Sequence, residues 1–230
     1  TYLGGEQVKE CRFNAWIGIL PPDEAATEAK KWFDKGFRSA KVKVGGNISA
    51  DRDRIAAIRE AVGPSMSLRA DANAGYSVED GIALAKLLEP FNMQLLEQPV
   101  AAEDLLGMAK VRASTSIPIM ADESIIDFSS LISVIKSEAA DIVKLKVMKQ
   151  GGFLNTRRML ETATAAGLKV VIGHGFGLGV NTVAEIMLAA TSPNVIEGLE
   201  CVGPLKTSDD IVTQNLDLSQ GSIKLPSGPG

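Results

Sequence analysis

Three acidic residues, each at the end of a short apolar run, are the part of this sequence best suited to chemistry. Asp71 closes SLRAD, Glu97 closes QLLE and Asp122 follows IPIMA, at intervals of about 25 residues. Recurring short apolar runs are typical of buried strands in a parallel sheet. If the strand ends meet, three carboxylates converge and need a positive partner. This donor set favours a hard divalent cation, Mg2+ above all and Mn2+ as an alternative.

A second interpretation of the three acids is purely structural. Each acid could cap the helix that follows its strand, a common arrangement at strand-to-helix turns. One such cap would be unremarkable, but three acids one repeat apart favour a shared site. Asn73 lies two residues beyond Asp71 and would project to the same side if the strand continued.

Lysines at the ends of two predicted strands could supply acid/base chemistry. Lys41 and Lys43 alternate in KVK and therefore share one face of a strand. A like charge two residues away, with partial burial, lowers a lysine pKa, which suits a general base. Lys146 ends a later strand and would approach from the other side of the site. Two opposed lysines could move a proton on either face of a substrate. The alternative is a solvated KVK on an edge strand.

These residues require a scaffold, and the sequence alternates short strands with amphipathic helices. We predict strands over 11–20, 39–44, 67–71, 93–99, 117–124, 140–147, 169–175 and 195–200. We predict helices over 24–35, 49–62, 77–89, 102–113, 128–137, 153–166 and 180–190, the first capped by Pro21-Pro22-Asp23. The pattern indicates one α/β domain over residues 1–230, a TIM-type (β/α)7β barrel. Alternation alone leaves a doubly wound open sheet possible.

Polar residues at corresponding strand ends favour the barrel. The series, about 24 to 28 residues apart, is Lys43, Asp71, Glu97, Asp122, Lys146, His174 and Glu200. In barrels of this type the carboxyl ends of the strands carry the active site. We therefore expect these side chains to surround one mouth.

Composition excludes several classes of partner. The 230 residues are 45% hydrophobic and 23% charged with a net charge of −4, which offers no basic face for nucleic acid or an anionic membrane. No apolar run has the length of a membrane span, and residues 1–10 lack a signal-peptide core. Cys11 and Cys201 are too few for a disulfide framework and are expected to be buried thiols. We expect a soluble, cytoplasmic protein.

Six motifs resemble, in order and spacing, the barrel domain of the enolase superfamily, most closely its muconate lactonizing enzyme subgroup. They are KVK, RADAN, LLEQP, ADES, KLKVMKQGG and ECVGPL. The resemblance implies Mg2+ ligands at Asp71, Glu97 and Asp122, opposed acid/base residues at Lys43 and Lys146, an electrostatic neighbour at Lys41, and support of the site by Glu200. It places Asn73 and Glu123 beside the ligands.

The implied activity is that of a Mg2+-dependent isomerase or lyase that forms an enediolate at the α-carbon of a small carboxylate substrate. Muconate-type cycloisomerisation is the first expectation. N-acylamino acid racemisation and o-succinylbenzoate-type dehydration are alternatives. Dipeptide epimerases carry Asp-x-Asp on strand eight, and Glu200 and Val202 at those positions weaken that reading.

Two positions depart from related patterns. His174 resembles the strand-seven base of the mandelate racemase subgroup, but Lys146 replaces its orienting Asp, so His174 is expected to pack or contact substrate. Lys144 stands where many relatives carry Asn. It either binds an acidic substrate or points away from the site at the solvent-exposed end of the strand.

Members of this family carry a capping domain beside the barrel, and we expect this sequence to comprise the barrel domain alone. We expect a barrel excised from a longer protein, with a homo-oligomer as the full-length form. Two other classes remain open. One is a non-catalytic barrel scaffold. The other is a metal-free phosphate-binding barrel that uses GHGFGLG at 173–179.

Overall fold

The structure is a computed structural model that describes residues 5–174 and 176–225. The predicted domain over 1–230, the predicted seventh strand and the glycine-rich segment 173–179 each include residues outside these ranges. The described part forms a curved parallel sheet surrounded by helices.

The sheet has seven parallel strands whose order along the sheet equals their order along the chain, from β2 to β8. The strands of the structure are β1 (Glu10–Arg12), β2 (Ala15–Ile17), β3 (Ser39–Lys43), β4 (Ser67–Asp71), β5 (Met93–Glu97), β6 (Ile119–Ala121), β7 (Ile142–Leu145), β8 (Lys169–Ile172) and β9 (Ser222–Lys224). Apolar strand residues such as Val42, Leu96 and Val143 are fully buried. Burial on both faces explains why the strands read as continuous apolar runs.

In the described residues, seven α-helices follow strands β2 to β8 in turn. They are α1 (Pro22–Asp34), α2 (Ile48–Val62), α3 (Val78–Leu88), α4 (Leu105–Ala113), α5 (Phe128–Lys136), α6 (Phe153–Ala165) and α7 (Gly179–Ala189). Short 3-10 helices span Glu89–Phe91 and Gly203–Leu205. Each helix therefore returns the chain to the start of the next parallel strand, as βαβ units require.

Residues 195–200 close the barrel. Parallel bridges join Phe13 to Leu199, Val170 to Val195 and Gly173 to Glu200, so this segment contacts both edges of the seven-stranded sheet. The predicted α/β barrel is confirmed, but the predicted eighth strand is a series of bridges. Gly198 explains the interruption, because its φ of 93° breaks the extended backbone. A Cβ there would meet Ser39 Oγ at 2.5 Å.

The prediction of one strand over 11–20 is wrong. β1 lies outside the barrel and pairs antiparallel with β9, with Cys11 opposite Ile223. The Phe13 N–H donates to the Gly221 carbonyl at 2.8 Å, whereas the Arg12 carbonyl accepts from the Leu199 N–H at 2.8 Å, so the backbone passes from the β1–β9 pair into the barrel at residues 12 and 13. The division results from pairing with residues more than 200 positions away, which local sequence does not encode.

Two helix starts also differ from prediction. α1 begins at Pro22 with Pro21 as N-cap and no side-chain capping bond, so Asp23 lies in the first turn. α4 begins at Leu105 rather than 102, because the Asp104 carboxylate accepts from the Gly107 N–H at 2.8 Å. This bond satisfies one of the free N–H groups at a helix start.

Two expectations from composition can be compared with the structure. Cys11 and Cys201 are both free and buried, as expected. Within residues 5–174 and 176–225, none of the helices combines the length and apolarity needed to cross a bilayer.

Candidate active site at the carboxyl ends of the strands

Strand register places the predicted site residues side by side. Lys43 pairs with Asp71 across β3 and β4, and Asp71 pairs with Glu97 across β4 and β5. Asp122 follows β6 directly, and Lys146 follows β7 directly. The three acids are almost completely buried. The structure thus brings the predicted ligands to one end of the barrel.

A lower layer of the site is built around Glu200. Lys41 Nζ lies 2.5 Å from Glu200 Oε2, 3.0 Å from Asp71 Oδ2 and 3.2 Å from Glu97 Oε2. Lys144 also pairs with Glu200 and lies 3.0 Å from Glu97 Oε1. Lys144 is only 3% exposed, so the expectation that it points away at a wet strand end is wrong.

The pKa of Lys41 moves opposite to the sequence expectation. Burial lowers it, but Glu200, Glu97 and Asp71 outweigh burial and raise the pKa above its ordinary value. The same balance, with Glu200 and Glu97 as the main carboxylates, raises the pKa of Lys144. Both lysines are therefore charged at neutral pH. Lys41 is therefore poorly suited to act as a base.

The upper layer contains the two candidate acid/base residues. Lys43 Nζ lies 2.7 Å from Asp71 Oδ2, and Lys146 Nζ lies 2.7 Å from Asp122 Oδ2. β3 and β7 are four positions apart in an eight-membered barrel, so the two lysines approach from opposite sides. Both line a cavity of about 280 Å3 at the barrel mouth. With this arrangement, protons could be transferred at both faces of a molecule in that cavity.

Asn73 and Glu123 lie beside the acids, as predicted. The Asn73 N–H donates to Asp71 Oδ1 at 3.1 Å, and its side chain accepts from Lys43. Asn73 Nδ2 donates to Glu123 Oε1 at 2.9 Å. The other Glu123 oxygen is buried without a partner among the described residues. These bonds connect Asp71 to the loop after β6.

Two further cations, which sequence reasoning did not identify as functional, are bonded to acids of the site. Arg69 is fully buried and donates to Glu200 Oε1 at 2.9 Å and to the carbonyls of Glu197 and Gly198. Lys149 Nζ donates to the Asp122 carbonyl at 2.6 Å and to its Oδ1 at 3.1 Å. Arg69 shares a strand face with Asp71, which was the available signal. Lys149 lies in a loop, where no periodicity applies.

His174 lies at the mouth, but its bonds are structural. Its Nδ1 accepts from the Gly177 N–H at 2.9 Å, and Nε2 lies 3.1 Å from Thr182 Oγ1. Burial, with Lys206 and other nearby lysines, lowers its pKa to about 4. His174 is therefore neutral at pH 7. It holds the loop that follows β8 and also lines the cavity at the mouth.

Glu185 on α7 lies behind this histidine. Its Oε2 accepts from Cys201 Sγ at 3.0 Å, and its Oε1 accepts from the Val147 N–H at 3.1 Å. His174 Nε2 is 3.7 Å from Oε2. Glu185 thereby connects α7 to the ends of two barrel strands.

Replacing Glu185 with glutamine should change how stability depends on pH. Burial raises the pKa of Glu185 to about 7 from an ordinary 4.5. A carboxyl with a raised folded-state pKa contributes fully below its unfolded pKa and loses that contribution as pH rises through the folded value. The unfolding free energy of the wild type, relative to Glu185→Gln, should therefore fall by up to about 3 kcal/mol between pH 4.5 and 7. Urea titrations across this range measure it, and parallel profiles would contradict the prediction.

In the described part of the glycine-rich segment after β8, the N–H groups of Gly177 and Gly179 already have partners within the chain. The Gly179 N–H at the start of α7 donates to Asp210 Oδ1 and Oδ2 at 3.0 and 2.8 Å. The Gly177 N–H is bound to His174. A carboxylate of the chain occupies the helix N-terminus where a phosphate would bind. This weakens the phosphate-binding alternative within the described residues.

The donor set fits Mg2+ in chemistry. Asp71, Glu97 and Asp122 offer hard carboxylate oxygens on three adjacent strands, and shared ammonium groups link them: Lys41 spans Asp71 and Glu97, while Lys144 lies between Glu97 and Asp122. Among the described residues, ligand atoms within 4.8 Å of one another occur instead at His174, Glu185 and Cys201. A cation at the three acids would compete with the lysines.

A comparison with known families identifies the scaffold. The family model described as enolase C-terminal domain-like matches residues 24–230. The chain belongs to this family. The resemblance inferred from the six motifs is therefore confirmed, and the polar mouth described above lies at the carboxyl ends of an enolase-superfamily barrel, where α/β barrels carry their sites.

Similar proteins include enzymes with several isomerase activities. N-succinyl-L-Arg/Lys racemase of Bacillus cereus is 34% identical over 99% of this chain, which covers 61% of that protein. Muconate cycloisomerase 1 of Rhodococcus opacus is 29% identical over 100% of this chain and 62% of that protein. The dipeptide epimerase of Enterococcus faecalis complexed with Mg and L-Leu-L-Tyr superimposes with a TM-score of 0.93 and 30% identity, covering 98% of this chain and 64% of that one. The chain thus spans about three fifths of their length.

Proposed function

We propose that this barrel catalyses Mg2+-dependent isomerisation at the α-carbon of a small carboxylate, with Lys43 and Lys146 as its acid/base pair. The observation that carries the proposal is the opposition of these two lysines across one cavity. Each is fixed by an aspartate at 2.7 Å, Asp71 for Lys43 and Asp122 for Lys146. Two proton carriers on opposite faces are what inversion at one carbon needs.

In this proposal the residues of the two layers have different roles. In the upper layer, one lysine as a free amine takes the α-proton, and the other as an ammonium returns a proton to the opposite face of the resulting enediolate. In the lower layer, Lys41 and Lys144 place fixed positive charge beneath the site, where negative charge develops on the substrate. Glu200 and Arg69 hold that layer in place.

A divalent cation completes the proposed site. Asp71, Glu97 and Asp122 would hold Mg2+, which when bound supplies positive charge for the substrate carboxylate. The solved dipeptide epimerase of E. faecalis contains Mg and is similar over 98% of this chain, which supports the assignment.

Racemisation or epimerisation is the reaction that this geometry supports best, because it employs both lysines. We therefore rank it ahead of the cycloisomerisation that the motifs suggested first. Cycloisomerisation of a muconate-type diacid is the second candidate, favoured by the similarity to muconate cycloisomerase 1 over the whole chain. Dipeptide epimerisation is weaker, because Val202 offers no second acid for a substrate ammonium.

The proposal is tested by α-proton exchange in D2O, with and without Mg2+, followed by NMR over a panel of N-acylamino acids, dipeptides and diacids. Exchange should require Mg2+. Saturating Mg2+, at a hundred times its Kd, should also stabilise the fold by about 2.7 kcal/mol.

Asp122→Asn should lose both the exchange and the stabilisation by Mg2+. Asp53→Asn is the matched control, because Asp53 is exposed on α2, away from the site, and forms an ion pair with Arg52 at 2.8 Å. If Mg2+ stabilises neither the wild type nor the control, and no substrate exchanges, the proposal is wrong. A barrel scaffold without catalysis would then be the better description.

A further inference from the structure

One lysine at the mouth differs from all the others. Lys41, Lys43, Lys144, Lys146 and Lys149 are each ion-paired with a buried acid of the site. Lys206, just after the 3-10 helix Gly203–Leu205, has no such partner among the described residues. Its charge is therefore available to a ligand.

Two aromatic rings hold Lys206 in place. Its Nζ lies 4.7 Å from the centroid of Trp16 and 4.9 Å from that of Phe176. Cation–π contacts with two rings restrict a side chain that would otherwise sample many rotamers. Trp16 and Phe176 are themselves 41% and 73% exposed, which leaves much of their apolar surface uncovered at the mouth.

This cluster of Lys206, Trp16 and Phe176 lies between two cavities. All three residues line the polar cavity that contains Lys43 and Lys146, and all three line an adjoining apolar cavity of about 610 Å3. A substrate whose α-carbon lies between the two candidate bases would extend its remaining part past Lys206.

We propose that Lys206 is a specificity-determining residue that binds a second anionic group at the distal end of the substrate. This inference rests on the proposed function. It assigns to the site carboxylates with a distal carboxylate, such as N-succinyl amino acids or diacids. It disfavours dipeptides, because their free ammonium would meet Lys206, and Val202 provides no acid to pair with that ammonium.

The local electrostatics agree with such a role. Burial and the nearby Lys41 and Lys43 lower the pKa of Lys206 to about 8. With a pKa near 8 the residue is still mostly charged at pH 7, so it can pair with an incoming anion. A hydrogen bond to a charged partner contributes about 1.5–3 kcal/mol, which corresponds to roughly a 10- to 100-fold difference in kcat/KM.

The test compares two matched substrates on the Mg2+-loaded protein. N-succinyl-phenylalanine and N-butanoyl-phenylalanine have acyl groups of the same length, but only the first carries a distal carboxylate. Wild type should favour the succinyl substrate by about 10- to 100-fold in kcat/KM, mainly through KM. Lys206→Met keeps the aliphatic stem and should reduce this ratio to near one. Lys206→Glu should invert it.

The matched control is Lys35→Met. Lys35 also lies over an indole ring, that of Trp32 at 4.9 Å, but outside the mouth. It should leave the substrate ratio unchanged. A ratio that survives in Lys206→Met overturns the proposal, as does an equal loss on both substrates, which would indicate a structural role.

Calorimetric binding of the same two compounds separates this inference from the proposed function. If neither substrate exchanges, but the succinyl compound binds more tightly to wild type and not to Lys206→Met, the anion site stands and the proposed reaction fails. If exchange occurs with no preference for the second carboxylate in either protein, the reaction stands and the anion site fails. Absence of both exchange and selective binding overturns both.

Discussion

Lys146→Met is expected to stop α-proton exchange from one enantiomer of the substrate, while Lys43→Met stops exchange from the other. Each lysine faces the cavity from its own side, so each can reach a proton on only one face of the α-carbon. The lost reaction should fall by about 10²- to 10⁴-fold, the usual range for removal of a general acid/base. Racemisation should be lost in both variants. NMR of deuterium incorporation into separate L and D substrates measures this directly.

The single variants should remain folded, because each aspartate keeps another partner. Asp122 retains Lys149 at 3.1 Å when Lys146 is removed, and Asp71 retains Lys41 at 3.0 Å when Lys43 is removed. Stabilisation by Mg2+ checks that the acids are still in place. Lys169→Met is the control, since Lys169 is exposed at the start of β8, the opposite end of the barrel. Equal loss of both enantiomers in either variant would indicate a structural defect and contradict the assignment.

Much of the site followed from the sequence because the alternation of side chains along a strand is a local property. Lys41 and Lys43 share a strand face by alternation, and register then aligns Lys43, Asp71 and Glu97 across three strands. A repeat of about 25 residues was enough to predict that these residues meet. The same reasoning could not find Lys206, because a residue in a loop has no periodicity that fixes its position.

The errors came from interactions between distant parts of the chain. The pKa of Lys41 was predicted from Lys43 and partial burial, whereas Glu200, Glu97 and Asp71 lie on three other segments and reverse the direction of the shift. The first strand was predicted as one piece because no residue near it in the sequence indicates that β1 pairs with β9. Local sequence patterns predicted most of the barrel strands and helices. Which charged side chains contact one another is determined only by closure of the barrel.

Arg69→Met is expected to lower the unfolding free energy by about 3–5 kcal/mol, the cost of removing one partner from a buried ion pair. The Arg69 guanidinium is 0% exposed and donates to Gln94 at 2.7 Å, to the carbonyls of Glu197 and Gly198, and to Glu200. Methionine fills similar volume but leaves two carbonyls of the closing segment without these donors. Denaturant titration with a fluorescence or circular dichroism signal measures the change.

Arg69→Lys should recover only part of this stability, because a single ammonium cannot reproduce the planar fork that bonds two carbonyls and a carboxylate at once. Arg52→Met on α2 is the matched control. Arg52 is about half exposed and pairs with Asp53, so its loss should cost less than about 1 kcal/mol. If Arg69→Met is as mild as Arg52→Met, then Lys41 and Lys144 alone suffice to hold Glu200, and closure of the barrel at 195–200 depends on its backbone bridges rather than on the buried guanidinium.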